Sequence, residues 1–316
     1  MSDRGDDRVP TDRTSRRRLL REASGALALG SLVTGLTVGS GTSAEAGPVA
    51  GQASRNGRIK QSIVYWCFEK YWDFPQAIEV AKQLGCGSIE LVDPKYFPLL
   101  KKAGLECAIG QIDMNPAPPF AKGFNNPKYH DQVIKATKTA IDACADFGFQ
   151  KVICFTGFAE GIPNDVGARN CVEGFKKIVP YAEKKGITLC LEMLNSRDST
   201  AMKGHPGYQG DHTDYCVDII KRVGSPNLKL LFDIYHVQIM DGDIIRRIHQ
   251  IKDVIGHVHT AGNPGRGELD DKQEIAYKPI MEALVEVGYT GYVGQEFIPT
   301  RDPLVGLRQA VTLCDV

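Results

Sequence analysis

The chain has 316 residues, long enough for one large α/β barrel or two ordinary domains, and its 42% hydrophobic and 24% charged content is globular rather than disordered. Lys plus Arg equal Asp plus Glu at 38 each, so no basic field draws the chain to nucleic acid. Nine dispersed cysteines contain no CxxC pair and indicate neither a zinc finger nor a disulfide scaffold.

Residues 1–46 form a segment of their own. Ser15-Arg16-Arg17-Arg18-Leu19-Leu20-Arg21 resembles a twin-arginine export signal, residues 23–44 carry no charge, and Ala44-Glu45-Ala46 offers the small-x-small pattern a signal peptidase reads. The expectation is export through the twin-arginine machinery, cleavage near Ala46 and a periplasmic or extracellular mature protein. A retained membrane anchor is the alternative, disfavoured by the low leucine content of the run. Residues 47–58, rich in Gly, Ala, Ser and Asn without an apolar period, read as a flexible linker.

From residue 59 short β-branched runs alternate with amphipathic stretches. Strands are expected at 62–67, 88–92, 105–109, 151–156, 188–194, 228–234, 255–260 and 292–297. Helical stretches lie between them at 75–84, 130–147, 166–185, 212–223, 243–252 and 275–287, and Gly85, Gly148, Gly186, Gly224 and Gly288 stand where helices end. Eight βα units predict a single-domain (β/α)8 TIM barrel over 59–316. A doubly wound open sheet fits less well, because YWCFEKYW after the first strand is no glycine-rich phosphate turn.

Four residues near the ends of the fifth to eighth predicted strands carry the chemistry: Glu192, Asp233, His259 and Glu296. Three carboxylates and an imidazole are a ligand set for a hard or borderline divalent cation, and the C-terminal ends of barrel strands converge on one point. Mg²⁺, Mn²⁺ and Co²⁺ suit these donors, and Zn²⁺ is compatible with them.

Residues 187–298, with ITLCLEMLNS, KLLFDIYHVQIMDGDI, IGHVHTAGNPGRGELD and GYTGYVGQEFIP, resemble the xylose-isomerase-like TIM-barrel superfamily and within it the hydroxypyruvate isomerase family. That resemblance implies one divalent cation held by the four residues, with Glu192 and Glu296 also the catalytic acid/base pair. It implies isomerisation of hydroxypyruvate to tartronate semialdehyde, or of a related small hydroxycarbonyl compound or sugar, through an enediolate. His259 departs from the Gln of the closest members and matches ketose 3-epimerases, which makes epimerisation the alternative. An apurinic endonuclease and a non-catalytic sugar-binding barrel are more distant readings.

Three further residues are expected to meet substrate. His236, three residues after Asp233, has an N–H placed to polarise a substrate oxygen. Arg266 offers a guanidinium to a substrate carboxylate unless it pairs with Glu268 or Asp270. His257 lies two positions deeper than His259 on the same side of its strand, as substrate contact or support. Residues 195–211 form an insertion suited to a lid or to a subunit contact in a homo-oligomer, and Tyr65, Trp66, Phe68 and Trp72 to a wall of the site or to plain packing.

Overall fold

A computed structural model describes residues 53, 54 and 56–316. The apolar runs form seven parallel strands: β1 (Lys60–Val64), β2 (Ser88–Glu90), β3 (Lys151–Phe155), β4 (Thr188–Glu192), β5 (Leu228–Asp233), β6 (Ile255–Thr260) and β7 (Tyr292–Gln295). Their order is β2-β1-β7-β6-β5-β4-β3. Side chains of successive residues in these strands are buried on both faces, as a sheet with helices outside and a filled interior requires.

Nine α-helices accompany the strands among the described residues: α1 (Phe74–Leu84), α2 (Phe97–Ala103), α3 (His130–Asp146), α4 (Asn164–Lys185), α5 (Thr213–Val223), α6 (Ile234–Met240), α7 (Ile244–Ile251), α8 (Tyr277–Glu286) and α9 (Pro303–Cys314). Local sequence explains their limits. In α1, Asp73 and Gln76 form a capping box, Pro75 sits in the first turn, Ala77, Ile78, Ala81 and Leu84 face the core, and Gly85 ends the helix at φ 80°. None of the described helices is long and apolar enough to cross a membrane.

The strand expected at 105–109 is not a regular strand. It touches its neighbours only through single parallel bridges, Ser88 with Glu106 and Gly110 with Val152. The reason is a diverted hydrogen bond: the Ala108 N–H donates to Ser88 Oγ at 2.8 Å instead of to a neighbouring carbonyl, so the ladder breaks there. The segment still closes the ring. Ile89 N–H donates to Glu106 O, Leu91 N–H to Ile109 O, and Gly110 N–H to Lys151 O, joining β2 to β3. The fold is a TIM barrel whose third staves are irregular backbone.

Residues 1–46, expected to be an export leader, lie outside the described residues. Of the segment read as linker, the described part is held to the C-terminus: Asn56 and Gly57 N–H groups donate to the Asp315 carboxylate, and Arg58 Nε donates to Val316 O at 2.7 Å.

Candidate active site

The four strand-end residues meet. Glu192 and Asp233 close β4 and β5, His259 lies in β6 opposite Asp233 in register, and Glu296 follows β7 with its N–H on Thr260 O. One ligand atom from each lies within 4.8 Å of every other, and all four residues are buried.

Asp233 shows how local sequence aims a ligand. It is both the last residue of β5 and the N-cap of α6, so Oδ1 accepts from the Tyr235 and His236 N–H groups at 2.8 and 3.2 Å. Its other oxygen, Oδ2, has no hydrogen-bond partner and faces the cluster, as do Glu192 Oε1 and His259 Nδ1. Buried lone pairs without donors are costly, and a cation at their common centre removes that cost. The donor set therefore fits a divalent metal ion.

The glutamates differ in environment. Glu296 has both oxygens engaged, Oε1 by Trp66 Nε1 at 3.1 Å and Oε2 by Arg266 Nη2 at 2.6 Å. Burial alone would raise its pKa, but Arg266 and His259 hold it well below the usual carboxylate range. Glu192 is pushed the other way by burial, only partly offset by His259, whose Nδ1 is 3.5 Å away. Burial and the charge of Glu296 push Asp233 up to about 8. Burial would lower His259, but Glu296, Glu192 and Glu90 carry it well above the usual imidazole value.

Arg266 reaches the cluster. Its backbone is held at φ 54°, its guanidinium carbon lies 5.3 Å from the Trp66 ring and 5.8 Å from the Tyr235 ring, and Nη1 donates to Met202 O. Glu268, its supposed loop partner, instead accepts from Thr300 and from the Arg301 N–H. His236 has a defined tautomer: the Asn195 N–H donates to its Nδ1 at 3.0 Å, so Nε2 carries the hydrogen and points toward Asp233 Oδ2, 3.6 Å away. Burial and Arg266 keep that ring neutral.

Sequence reasoning passed over Glu90. This carboxylate at the end of β2 accepts from His257 Nε2 at 2.8 Å and His259 Nε2 at 2.7 Å, both on the same oxygen. His257 is thereby turned to Glu90, away from the ligand atoms. The available signal was position: Glu90 ends β2 as Glu192 ends β4 and Asp233 ends β5. Of the aromatic group after β1, Trp66 serves the site, whereas Phe68 stacks on Trp72 and meets Phe297 edge-on.

The 195–211 segment folds over this end of the barrel. Lys203 O accepts from Asn195 Nδ2 and Tyr235 OH, Met202 O holds Arg266, and buried His205 lies 4.3 Å from the Phe120 ring. A cavity of about 770 Å³ lies at the opposite end between strand N-termini, lined by Lys60, Lys151 and Lys229. Convergent ligand atoms, rather than volume, mark the reactive end.

A family model described as "Xylose isomerase-like TIM barrel" matches residues 78–313. The chain belongs to that family. It is 28% identical over 248 residues to the hydroxypyruvate isomerase of Escherichia coli (strain K12), covering 75% of this chain and 92% of the relative. With a 2-oxo-tetronate isomerase of Cupriavidus necator it shares 33% identity over 150 residues, 46% of this chain and 55% of that one. A crystal structure titled AP endonuclease, family 2 from Brucella melitensis superposes with a TM-score of 0.70 at 25% identity, covering 79% of this chain and 96% of the other.

Proposed function

We propose that this member of the xylose isomerase-like family is a divalent-metal-dependent isomerase of small hydroxycarbonyl compounds, with hydroxypyruvate and tartronate semialdehyde as the substrate pair. The observation that carries the reading is the unequal pair of glutamates flanking one buried ligand cluster. Glu296, held ionised by Arg266, is the base that takes a proton from the carbon next to the carbonyl. Glu192, which burial shifts toward the protonated form, is the group that delivers a proton on the other side. Glu192, Asp233, His259 and Glu296 would hold the cation, which when bound would supply Lewis-acid stabilisation of negative charge developing on the substrate oxygens. His236 Nε2–H adds a neutral donor to a substrate oxygen, and Trp66 and Arg266 keep Glu296 in place.

The names of the two isomerase relatives support this substrate class. A second reading, ketose 3-epimerisation, rests on His259 as the imidazole ligand. The endonuclease title of the Brucella structure finds less support, since a chain with zero formal charge brings no electrostatic steering to DNA. The deciding experiment incubates protein and Mg²⁺ with hydroxypyruvate, and separately with C5 and C6 ketoses, in D₂O, followed by NMR. Conversion of hydroxypyruvate with deuterium at the receiving carbon is expected. Exchange at C3 of a ketose with no conversion of hydroxypyruvate would select the epimerase, and no exchange anywhere would end both readings.

A further inference from the structure

Glu90 lies on β2, whereas the histidines that donate to it lie on β6, and the order β2-β1-β7-β6 puts two strands between them. The carboxylate reaches across because those strands present almost nothing there. Ser62 of β1 and Gly294 of β7 face each other in register, and Gly294 is also the register partner of His259. A Cβ on Gly294 would stand 2.5 Å from Glu90 Oε1 and 2.8 Å from His259 Cδ2, distances that real Cβ atoms do not show. The gap in β7 and the Glu90–His259 contact are thus one construction.

An ionised carboxylate only accepts hydrogen bonds, so each ring nitrogen facing Glu90 carries hydrogen. For His259 that nitrogen is Nε2. The nitrogen left over is Nδ1, 3.1 Å from Glu296 Oε2 and 3.5 Å from Glu192 Oε1, without a hydrogen-bond partner. A cation can bind only the ring form without hydrogen on Nδ1; Glu90 keeps that form's hydrogen on Nε2, and without Glu90 the hydrogen could sit on Nδ1, toward the two glutamates. Its lone pair would then be on Nε2, facing away from the two glutamates.

We propose that Glu90 is a positioning residue that selects the His259 tautomer and thereby sets the cation affinity of the site, with His257 bracing the Glu90 carboxylate and Gly294 supplying the space. His257 adds a second donor to the same oxygen, and its ring lies 5.0 Å from that of His259 at 87°, which fixes the carboxylate from below. Partners of this kind behind a metal-binding histidine typically change affinity by about 10- to 100-fold when removed. The inference rests on the proposed metal site.

The test measures Mn²⁺ binding by calorimetry for the full chain, for Glu90→Gln and for Gly294→Ala, with folding followed by circular dichroism. Both variants should bind Mn²⁺ about 10- to 100-fold more weakly than the unaltered protein while folded. Equal affinity in the folded variants, with only a lowered melting temperature, would leave Glu90 a packing residue and overturn the proposal. Histidine ¹⁵N NMR of the unaltered protein with Mg²⁺ gives a reading that needs no variant: His259 should be protonated at Nε2 and bare at Nδ1. The opposite tautomer would overturn the proposal even if both variants failed to fold. Failure of the unaltered protein to bind Mn²⁺ would instead remove the metal site, a result distinguishable from failure of the Glu90 role.

Discussion

At the scale of single residues, the site is a set of acids whose neighbours drive them apart. Replacing Glu296 or Glu192 by Gln keeps an oxygen near the cation but removes the proton-transfer group, so turnover should fall by about 10²-fold or more with a smaller loss of Mn²⁺ affinity. Steady-state kinetics alongside calorimetry reads both; near-normal turnover in metal-loaded Glu296→Gln would reduce Glu296 to a ligand. The cation-free protein should also respond to pH in a defined direction. Asp233 rises from an ordinary 3.8 to about 8 on folding, so it contributes stability that is full below about 4 and lost as pH rises through about 8. His259, also raised, acts with the same sign, its contribution full below about 6.5 and lost above its raised value. Scanning calorimetry of chelator-treated protein should therefore show a melting temperature that falls between pH 5 and 8.5, and Mn²⁺ should restore more at the upper end. The ligand residues were legible because each breaks an apolar strand run with a group that burial alone would penalise. Glu90 was not, since its partners His257 and His259 lie about 170 residues away and only folding brings them to one oxygen.

At the scale of elements, every observed ladder strand overlaps an expected one because the patterns are local; β1 runs 60–64 where 62–67 was expected, and β2, β4 and β7 end at Glu90, Glu192 and Gln295, short of the expected Val92, Leu194 and Phe297. The run at 105–109 has the same apolar character, yet a serine hydroxyl on β2 captures the N–H its ladder would have used. Periodicity cannot report such a competition. Helix α6 was hidden for a related reason: Asp233 ends a strand and caps a helix at once, with no connecting loop to mark the change. Ser88→Ala should leave the buried Ala108 N–H unpaired at a cost of about 1–3 kcal/mol, read from urea denaturation. An unchanged midpoint would mean that water or a shifted backbone satisfies Ala108.

At the scale of the whole molecule, a cation that binds only the folded chain stabilises it by mass action, about 2.7 kcal/mol at a hundredfold excess over Kd. Raising free Mn²⁺ should increase the melting temperature until the site saturates, and Asp233→Asn should flatten that response. The leader carries a separate expectation: if residues 1–46 are a twin-arginine signal, Arg16→Lys with Arg17→Lys should hold the uncleaved precursor inside the cell, as fractionation and immunoblotting would show. Delivery unchanged by both substitutions would dismiss that reading.

The clasp between residues 56–58 and Asp315 and Val316 belongs with the late steps of folding. β1 has β2 on one edge and, on the other, β7, which is made after every other strand. A growing chain therefore cannot finish the ring by folding from its beginning, and its first strand waits with one edge open until β7 has been made. Such late, long-range closure is slow relative to helix formation. If residues 1–46 are an export signal read by a carrier that accepts only folded cargo, the moment of ring closure, measurable by pulse-chase proteolysis, sets the earliest departure.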